Sequence, residues 1–306
     1  MIIVRISGGL GNQMFQYALI EAMKERYPDT EIKADVFDYD RVHAHTGYSL
    51  ENYFTVTLPL ANEQEVNKIS LIPLECARPT MYAGLKKQIA LLKYRVAVKR
   101  RSNLAKYNIS DYVFNVFNPE VFNLDSSFDW YLNGYWQNVR YFKHMENAMS
   151  EIFQFRRALP DQETMMTAQM KCEESVSVHV RRGDYVNSGF DLCSKQYYLA
   201  AKEEIEKTVR NPVYYFFSDD ADYVETNFPE FAGKIIVRHT AEDCDYDLQM
   251  MAACRHGINA NSSFSFWGSA LKQKNGLIIS PQYTMERDHK LYETPILDNW
   301  VVVKNL

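Results

Sequence analysis

The sequence lacks the paired cysteines that bind zinc or frame a small disulfide-rich domain. Its five cysteines are scattered through 306 residues, and no two of them form a C-x-x-C motif. It also lacks any apolar run of the about 18–20 residues that a membrane-spanning helix requires. The short apolar run at residues 2–6 is followed at once by glycines, unlike a secretory signal. We therefore expect a cytoplasmic protein, neither secreted nor embedded in a membrane.

Positive charge is scarce for a protein that binds nucleic acids, because the net charge is −5. We therefore expect no nucleic-acid partner. The motifs H-E-x-x-H, G-x-S-x-G and G-x-x-x-x-G-K are absent as well, which disfavours a zinc protease, a serine hydrolase and a P-loop NTPase. One region departs from the average charge: no acidic residue lies between Glu75 and Asp111, although nine Lys and Arg residues do.

Short apolar strands alternate with helices of about 10–15 residues from residue 175 onward, which is typical of a parallel sheet with helices on both faces. The predicted strands span residues 175–182, 213–217, 234–238, 257–260 and 277–280. The predicted helices span residues 194–209, 219–228, 245–255 and 264–274. A strand at 2–6, a helix at 14–27 and a strand at 31–36 open a second such unit. The sequence thus predicts an α/β protein with domains at residues 1–160 and 161–306.

Glycines follow the first predicted strand, at Gly8, Gly9 and Gly11. Glycine lets the backbone approach a ligand closely, and the start of the next helix favours negative charge. A dinucleotide fingerprint with Asp35 as the ribose ligand is disfavoured, because Met14 occupies the third glycine position and would obstruct helix–strand packing. A plain structural turn and a phosphate or sugar contact remain as the alternatives.

The motif H-V-R-R-G-D-Y lies at residues 179–185, at the carboxyl end of a predicted parallel strand, where open α/β sheets bind ligands. Two arginines there would be costly without anionic partners. A diphosphate is a suitable partner, since a guanidinium offers paired donors to phosphate oxygens. Asp184 could orient Arg181 or act as a base. The alternative is an internal Arg–Asp ion pair.

A third motif combines Asp247 with the serine pair Ser262 and Ser263, which lies at a predicted helix start. Hydroxyls and free backbone N–H groups at such a start can bind phosphate. Capping of the helix by Asn261 or Ser262 is the alternative, and it is compatible with phosphate binding.

A D-x-D pair occurs at Asp220 and Asp222, where it could hold a divalent metal ion on a sugar diphosphate. The pattern is weak, because D-x-D recurs elsewhere in the chain and helix N-termini attract acidic residues in any case. We therefore expect no metal site.

Four segments together resemble the α-1,2-fucosyltransferases of glycosyltransferase family 11, and they come in the family's order. They lie at residues 9–17, 179–185, 217–220 and 261–268. The resemblance implies a GT-B-like fold of two Rossmann-type domains with mainly parallel sheets and a cleft between them. It implies GDP-β-L-fucose as the donor and inverting transfer to the 2-hydroxyl of a terminal β-galactoside, in an oligosaccharide or a lipid-linked glycan. It also implies that neither a metal nor another cofactor is needed.

The same resemblance implies roles for individual residues. Arg181 and Ser263 are expected on the donor β-phosphate, Asp247 on guanine, and the backbone of His179 near the base. The other donor-binding residues expected from the matching motifs are Gly9, Gly11, Asn12, Gln13, Asp219, Asn261 and Ser262. The glutamate that α-1,6 relatives carry ten residues after the motif histidine is Gly189 here, so Asp184 is our candidate for the base. A same-fold transferase with another donor or linkage, or a non-catalytic glycan- or nucleotide-binding protein, stays open.

The basic region includes a helix predicted from Leu85 to Lys106, with an apolar stripe formed by Leu85, Ile89, Leu92 and Val96. Such a helix can lie on an anionic membrane. One hypothesis is therefore a peripheral contact at the inner face of the membrane, near a lipid-linked glycan acceptor. The alternative is a helix whose stripe packs into the N-terminal domain.

Overall fold

The computed structural model describes residues 1–39, 47–72, 74, 84–112, 114–273 and 275–306. The strands are β1 (Ile2–Arg5), β2 (Ile32–Asp35), β3 (Asn108–Asp111), β4 (Trp130–Gly134), β5 (Ser175–Val180), β6 (Val213–Ser218), β7 (Ile235–Ile236), β8 (His256–Ile258), β9 (Ile278–Pro281), β10 (Tyr283–Arg287), β11 (Lys290–Glu293) and β12 (Val301–Val303). The α-helices are α1 (Leu10–Arg26), α2 (Leu50–Tyr53), α3 (Glu63–Ile69), α4 (Gly84–Arg100), α5 (Met149–Ile152), α6 (Asp161–Cys172), α7 (Lys195–Thr208), α8 (Ala221–Asn227), α9 (Cys244–Ala253) and α10 (Ser263–Ala270).

The chain forms two compact units whose boundaries differ from the predicted division at residue 160. Unit 1 comprises Met1–Ser49 and Thr57–Trp136, and unit 2 comprises Leu50–Val56 and Gln137–Leu306. The segment 50–56 belongs to unit 2 because Phe54 forms a β-bridge with Phe155 and its ring lies 5.2 Å from that of Phe153. Phe153 in turn lies 5.0 Å from Trp267, so the residues before 160 pack within unit 2. A sequence pattern shows local periodicity but not these long-range ring contacts.

Unit 1 is built on a parallel sheet with strand order β2-β1-β4-β3. The central strand β1 pairs with both neighbours, so that Ile3 lies opposite Lys33 on one side and Tyr131 on the other. Helix α1 begins four residues earlier than predicted, because Gly9 already serves as its N-cap. Residues 11–13 therefore lie in the first turn of the helix.

Unit 2 contains a six-stranded parallel sheet in the described part of the chain, with order β12-β9-β8-β5-β6-β7. All six residues of the central strand β5 are buried, as expected of a strand covered on both faces. On one face of the sheet, Val178 and Phe216 pack in a cluster with Tyr198 of α7. On the opposite face, Tyr215 and Phe217 pack with Met250 of α9. This burial fixes the carboxyl ends of β5, β6 and β8 relative to one another.

The predicted elements of unit 2 are confirmed in order and type, with differences at their ends. Strand β7 is shorter than predicted, and α10 ends at Ala270, whereas residue 274, the end of the predicted helix, lies outside the described residues. The antiparallel hairpin β10–β11 and the edge strand β12 were not predicted. Ser194 occupies the predicted N-cap of α7, although its side chain makes no capping hydrogen bond.

The cysteines agree with the absence of a disulfide framework as far as the structure describes them. Cys172, Cys193, Cys244 and Cys254 are free, and Cys76 lies outside the described residues. None of the helices in the described ranges combines the length and hydropathy needed to cross a bilayer.

Candidate functional site

Arg181 follows β5 directly and is held there by two carboxylates. Its Nε and Nη2 donate to Asp184 Oδ1 at 3.1 and 2.6 Å, and its Nη1 lies 3.0 Å from Asp219 Oδ2. Asp219 is close because β6 pairs with β5, so that Val180 lies opposite Ser218. Burial lowers the pKa of Arg181, but Asp219 and Asp184 outweigh it and raise the pKa overall. The internal ion pair considered from the sequence is thus present, and the Arg181 side chain that it holds stays 29 % exposed.

Gly183 permits the close approach of Asp219 to this turn. A Cβ atom at position 183 would lie 2.6 Å from Asp219 Oδ2. The other oxygen, Oδ1, accepts the backbone N–H of Arg182 at 2.8 Å. The side chain of Arg182 lies with Cζ 4.0 Å from the centre of the Tyr223 ring, a cation–π contact. Asp219 therefore positions both the backbone of Arg182 and the guanidinium of Arg181.

The start of α10 lies at the same edge of the sheet, because β8 pairs with β5 and places Ile258 opposite Val178. Ser262 is the N-cap of α10, and its hydroxyl accepts the N–H of Phe264 at 3.3 Å. The centre of the Tyr185 ring lies 5.6 Å from Cζ of Arg181, and burial raises the pKa of Tyr185 while Ser262 opposes this. Tyr185 thus lies near both the arginine and the helix start.

Asn261 supports the loops around this helix start. Its side chain is buried, and its Nδ2 donates to the carbonyls of Phe190 and Thr284, both at 2.8 Å. The thiol of Cys193 donates to its Oδ1 at 3.3 Å. Both amide hydrogens of Asn261 have backbone partners, so its contacts are those of a structural residue. Its contact with the sugar-nucleotide donor stays a prediction.

His179 lies at the end of β5 in a closed environment. Its ring is buried and lies 5.6 Å from the ring of Phe264, while its carbonyl accepts the hydroxyl of Tyr198 at 3.0 Å. Burial, with a smaller effect from Arg181, lowers the pKa of His179 to about 3. The imidazole is therefore neutral at physiological pH and adds no charge to the site.

Asp247 lies in the first turn of α9 and has a partner that the sequence did not reveal. His239 Nδ1 lies 2.7 Å from Asp247 Oδ1, and His239 Nε2 lies 3.4 Å from Glu163. Burial raises the pKa of Asp247, although His239 opposes this, and the bond to Asp247 raises the pKa of His239. No sequence motif includes His239, and its second partner Glu163 lies in α6, far away along the chain. The predicted guanine ligand Asp247 is thus part of a half-buried acid–histidine pair.

The glycine loop of unit 1 is closed by Gln13, which is fully buried. Its Nε2 donates to the carbonyls of Gly8 and Gly47 at 3.1 and 2.8 Å, and its Oε1 accepts the N–H of Ser49 at 3.0 Å. Gly8 has φ +83°, a conformation that favours glycine. The side chain of Gln13 therefore has the contacts of a structural residue, and the donor contacts predicted for Gly9, Gly11, Asn12 and Gln13 stay predictions.

Three carboxylates considered from the sequence also have structural partners, Asp35 in unit 1 and Asp220 and Asp222 in unit 2. Asp35 is buried and accepts the hydroxyl of Tyr131 at 2.6 Å, so it is not placed as a ribose ligand. Asp220 caps α8 by accepting the N–H of Tyr223 at 3.0 Å. Its D-x-D partner Asp222 pairs with Arg238, an exposed residue. Among the described residues, no group of three or more His, Cys, Asp and Glu is arranged to hold a metal ion.

Comparisons with known proteins agree with the motifs. The family model for glycosyl transferase family 11 matches residues 1–304. An α-1,2-colitosyltransferase of Escherichia coli is 29% identical, covering 99% of each chain. The O-antigen biosynthesis glycosyltransferase WbnK of Escherichia coli is 23% identical, covering 97% of this chain and 98% of its own.

Among solved structures, the fucosyltransferase NodZ from Bradyrhizobium aligns with a TM-score of 0.50 at 13% identity, over 96% of this chain and 99% of NodZ. The shared fold confirms the predicted GT-B-like α/β class. The family match extends over nearly all of the sequence and agrees with the four motifs that pointed to it. The chain therefore belongs to glycosyltransferase family 11.

Proposed function

We propose that this glycosyltransferase transfers L-fucose from GDP-β-L-fucose to the 2-hydroxyl of a terminal β-galactoside, with inversion to an α-1,2 linkage. The observation that carries the proposal is the guanidinium of Arg181, fixed by Asp184 and Asp219 at the carboxyl end of β5. The similarity to an α-1,2-colitosyltransferase supports the α-1,2 linkage. Membership in family 11 supports a nucleotide-sugar donor.

The arginine has the chemistry that departure of GDP requires. When the glycosidic bond of the donor breaks, negative charge develops on the β-phosphate, and a cation that is already oriented stabilises it without reorganisation. Asp184 accepts two of the five N–H groups of Arg181 and Asp219 lies 3.0 Å from Nη1, which leaves one N–H on each terminal nitrogen for phosphate oxygens. One such fixed donor contributes on the order of 3 kcal/mol to lowering the barrier.

The start of α10 supplies a second group of donors beside the arginine. Backbone N–H groups at a helix N-terminus point toward an anion, and the helix dipole favours negative charge there. Ser263 is the first residue of α10 and is half-buried, and β8, which leads to this helix, pairs with β5, which leads to Arg181. We propose that Arg181 and Ser263 both bind the β-phosphate of the donor.

Asp184 has one role supported by geometry and one that needs a test. Its carboxylate holds the Nε and Nη2 atoms of Arg181, so it orients the phosphate-binding group. It is also half-exposed, which would allow it to accept the proton of an acceptor hydroxyl. Substitution by asparagine separates the two roles, as described in the Discussion.

A second candidate function is transfer of colitose, because the relative that is 29% identical over 99% of the chain is a colitosyltransferase. Colitose is L-fucose without the 3-hydroxyl, so the two donors differ by a single hydrogen-bonding group. A site that bonds this hydroxyl discriminates strongly against the deoxy sugar, whereas an apolar site tolerates its loss. The donor with the higher kcat/KM identifies which kind of site the chain has.

The test is a GDP- or UDP-release assay with GDP-fucose, GDP-colitose, GDP-mannose and UDP-sugars, each with a terminal β-galactoside acceptor. We expect turnover with GDP-fucose and a product whose α-1,2 linkage is established by NMR. Higher kcat/KM with GDP-colitose would select the second candidate. Binding of GDP-fucose without turnover would identify a non-catalytic binding protein and overturn both candidates.

We also propose that transfer needs no metal ion, since Arg181 and the helix start carry the positive potential. Treatment with a chelator is expected to leave the rate unchanged within about twofold, because these groups stabilise the leaving phosphate themselves. A strict requirement for Mn²⁺ or Mg²⁺ would overturn this proposal and return attention to Asp220 and Asp222.

A further inference from the structure

Helix α4 has two apolar faces, and only one of them is covered. Half-buried residues lie on one side of the helix, at Ala90, Leu91, Tyr94, Ala97 and Val98. The stripe on the opposite side is exposed, with Leu85 at 73 %, Ile89 at 49 %, Leu92 at 64 % and Val96 at 41 %. The alternative considered from the sequence, in which this stripe packs into the N-terminal domain, is therefore wrong.

Basic side chains flank the exposed stripe on both sides. At 3.6 residues per turn, Lys86, Lys93 and Arg100 line one border and Arg95 and Lys99 line the other, and all five are exposed. No acidic residue occurs on the helix, although the whole chain carries a net charge of −5. The exposed surface of α4 thus combines apolar and positive groups.

Arg101 differs from these residues because it holds the end of the helix in place. Its Nη1 donates to the carbonyls of Asn67 and Ser70 at 2.5 and 3.0 Å, at the end of α3. The bond fixes the C-terminal end of α4 to its own unit. The stripe is therefore presented on an anchored helix, and Arg101 is unsuitable for charge reversal in a test.

We propose that the exposed stripe of α4 and its flanking bases form a docking surface for an anionic lipid bilayer. A bilayer offers both of the partners that this surface requires: an apolar phase for the leucines and anionic headgroups for the lysines and arginines. Nucleic acid would match the bases but leave the stripe in water. A second copy of the chain, stacked stripe to stripe, would bring two sets of like charges together.

The test is co-sedimentation of the full chain with vesicles of phosphatidylglycerol and phosphatidylcholine, and with vesicles of phosphatidylcholine alone. We expect binding to the anionic vesicles that weakens as salt rises from about 0.1 to 0.5 M, because the screening length falls. Failure of the wild-type chain to bind anionic vesicles at low salt would overturn the proposal.

Charge reversal tests the flanking bases. The variant Lys86→Glu/Lys93→Glu/Arg100→Glu is expected to lose at least about tenfold in vesicle affinity. The matched control Arg210→Glu/Lys290→Glu/Lys304→Glu makes the same change of charge at exposed positions of unit 2 and should bind as wild type. Equal loss in both variants would show a general charge effect and overturn the assignment to α4.

Substitution of the stripe tests its apolar part. Leu85→Ser/Leu92→Ser should lower vesicle affinity at least about tenfold, with an unchanged melting temperature because both side chains are exposed. The control Met165→Ser/Leu306→Ser removes two exposed apolar side chains elsewhere and should have no effect on vesicle affinity.

Sedimentation equilibrium without lipid tests whether a second copy of the chain covers the stripe. A dimer that dissociates in the stripe variant would identify a second copy as the partner and overturn the proposal.

Discussion

Two loops follow central strands of parallel sheets in this chain, and they use their polar groups differently. The loop after β1 is closed by Gln13, a neutral amide that is fully buried and bonded to backbone groups. The turn after β5 carries Arg181, a cation that is part-exposed and bonded to two carboxylates. The carboxyl end of a parallel strand therefore marks a place for a site, and the partners of the polar groups decide whether one is formed there.

The difference is energetic. An amide that satisfies buried backbone groups cannot leave them without a desolvation cost of about 1–3 kcal/mol for each. A part-exposed guanidinium between carboxylates can exchange one anionic contact for another at little cost, because solvent screens the pair. The comparison thus predicts that substitution of Gln13 lowers stability, whereas substitution of Arg181 lowers catalysis.

The largest expected effect is on catalysis, from Arg181→Ala. Removing the guanidinium should lower kcat by about 10²–10³, since a fixed donor to the developing charge contributes about 3 kcal/mol. The melting temperature should change little, because the side chain is part-exposed. Arg181→Lys should fall between, as it keeps the charge and loses the paired donors. Steady-state kinetics and thermal unfolding measure both quantities.

Arg238→Ala is the matched control, because Arg238 is also an arginine between two acidic partners, Asp222 and Glu225. It is expected to keep wild-type kinetics. An Arg181→Ala enzyme with wild-type kcat would remove the main support for the proposed function.

The second effect is on stability, from Gln13→Ala. The change removes the partner of the Gly47 carbonyl and of the Ser49 N–H, whereas the Gly8 carbonyl keeps the hydroxyl of Tyr39 at 2.7 Å. We expect the free energy of unfolding to fall by about 2–3 kcal/mol, measured by denaturant titration. Gln162→Ala, at an exposed position of α6, is the control and should be neutral. An unchanged stability with a raised KM for the donor would instead make Gln13 a donor ligand.

A smaller effect is expected from Asp184→Asn, which keeps an acceptor for Arg181 and removes the negative charge. If Asp184 only orients the arginine, kcat should fall about tenfold with the acidic limb of the pH–rate profile preserved. If it is the base, kcat should fall by about 10²–10⁴ and that limb should disappear. The carboxylate's contact with Arg181 favours the first outcome. Rates measured across pH distinguish the two.

The sequence predicted what depends on local pattern. The alternation of strands and helices after residue 175 is confirmed, and so are the positions of Arg181 at a strand end and of Ser263 at a helix start. The ion pair of Arg181 with Asp219 was not predicted as a specific pair, because it depends on the pairing of β5 with β6. The contacts of Gln13 with Gly47 and of His239 with Glu163 were not predicted either, because these residues are far apart along the chain and come together only on folding.

The smallest expected effect concerns the ion pair of Asp247 with His239. This pair is ionic like that of Arg181, but it is less exposed. The bond to Asp247 raises the pKa of His239 in the folded chain. The stability from this proton is therefore fully present below the unfolded pKa of about 6.5 and is lost as pH rises through the folded pKa. His239→Gln should cost on the order of 1 kcal/mol near pH 6, and the difference from wild type should shrink toward pH 9. Unfolding titrations between about pH 6 and 9 span the range in which the histidine loses its proton. A difference that grows with pH would show that Asp247, rather than His239, dominates the pair.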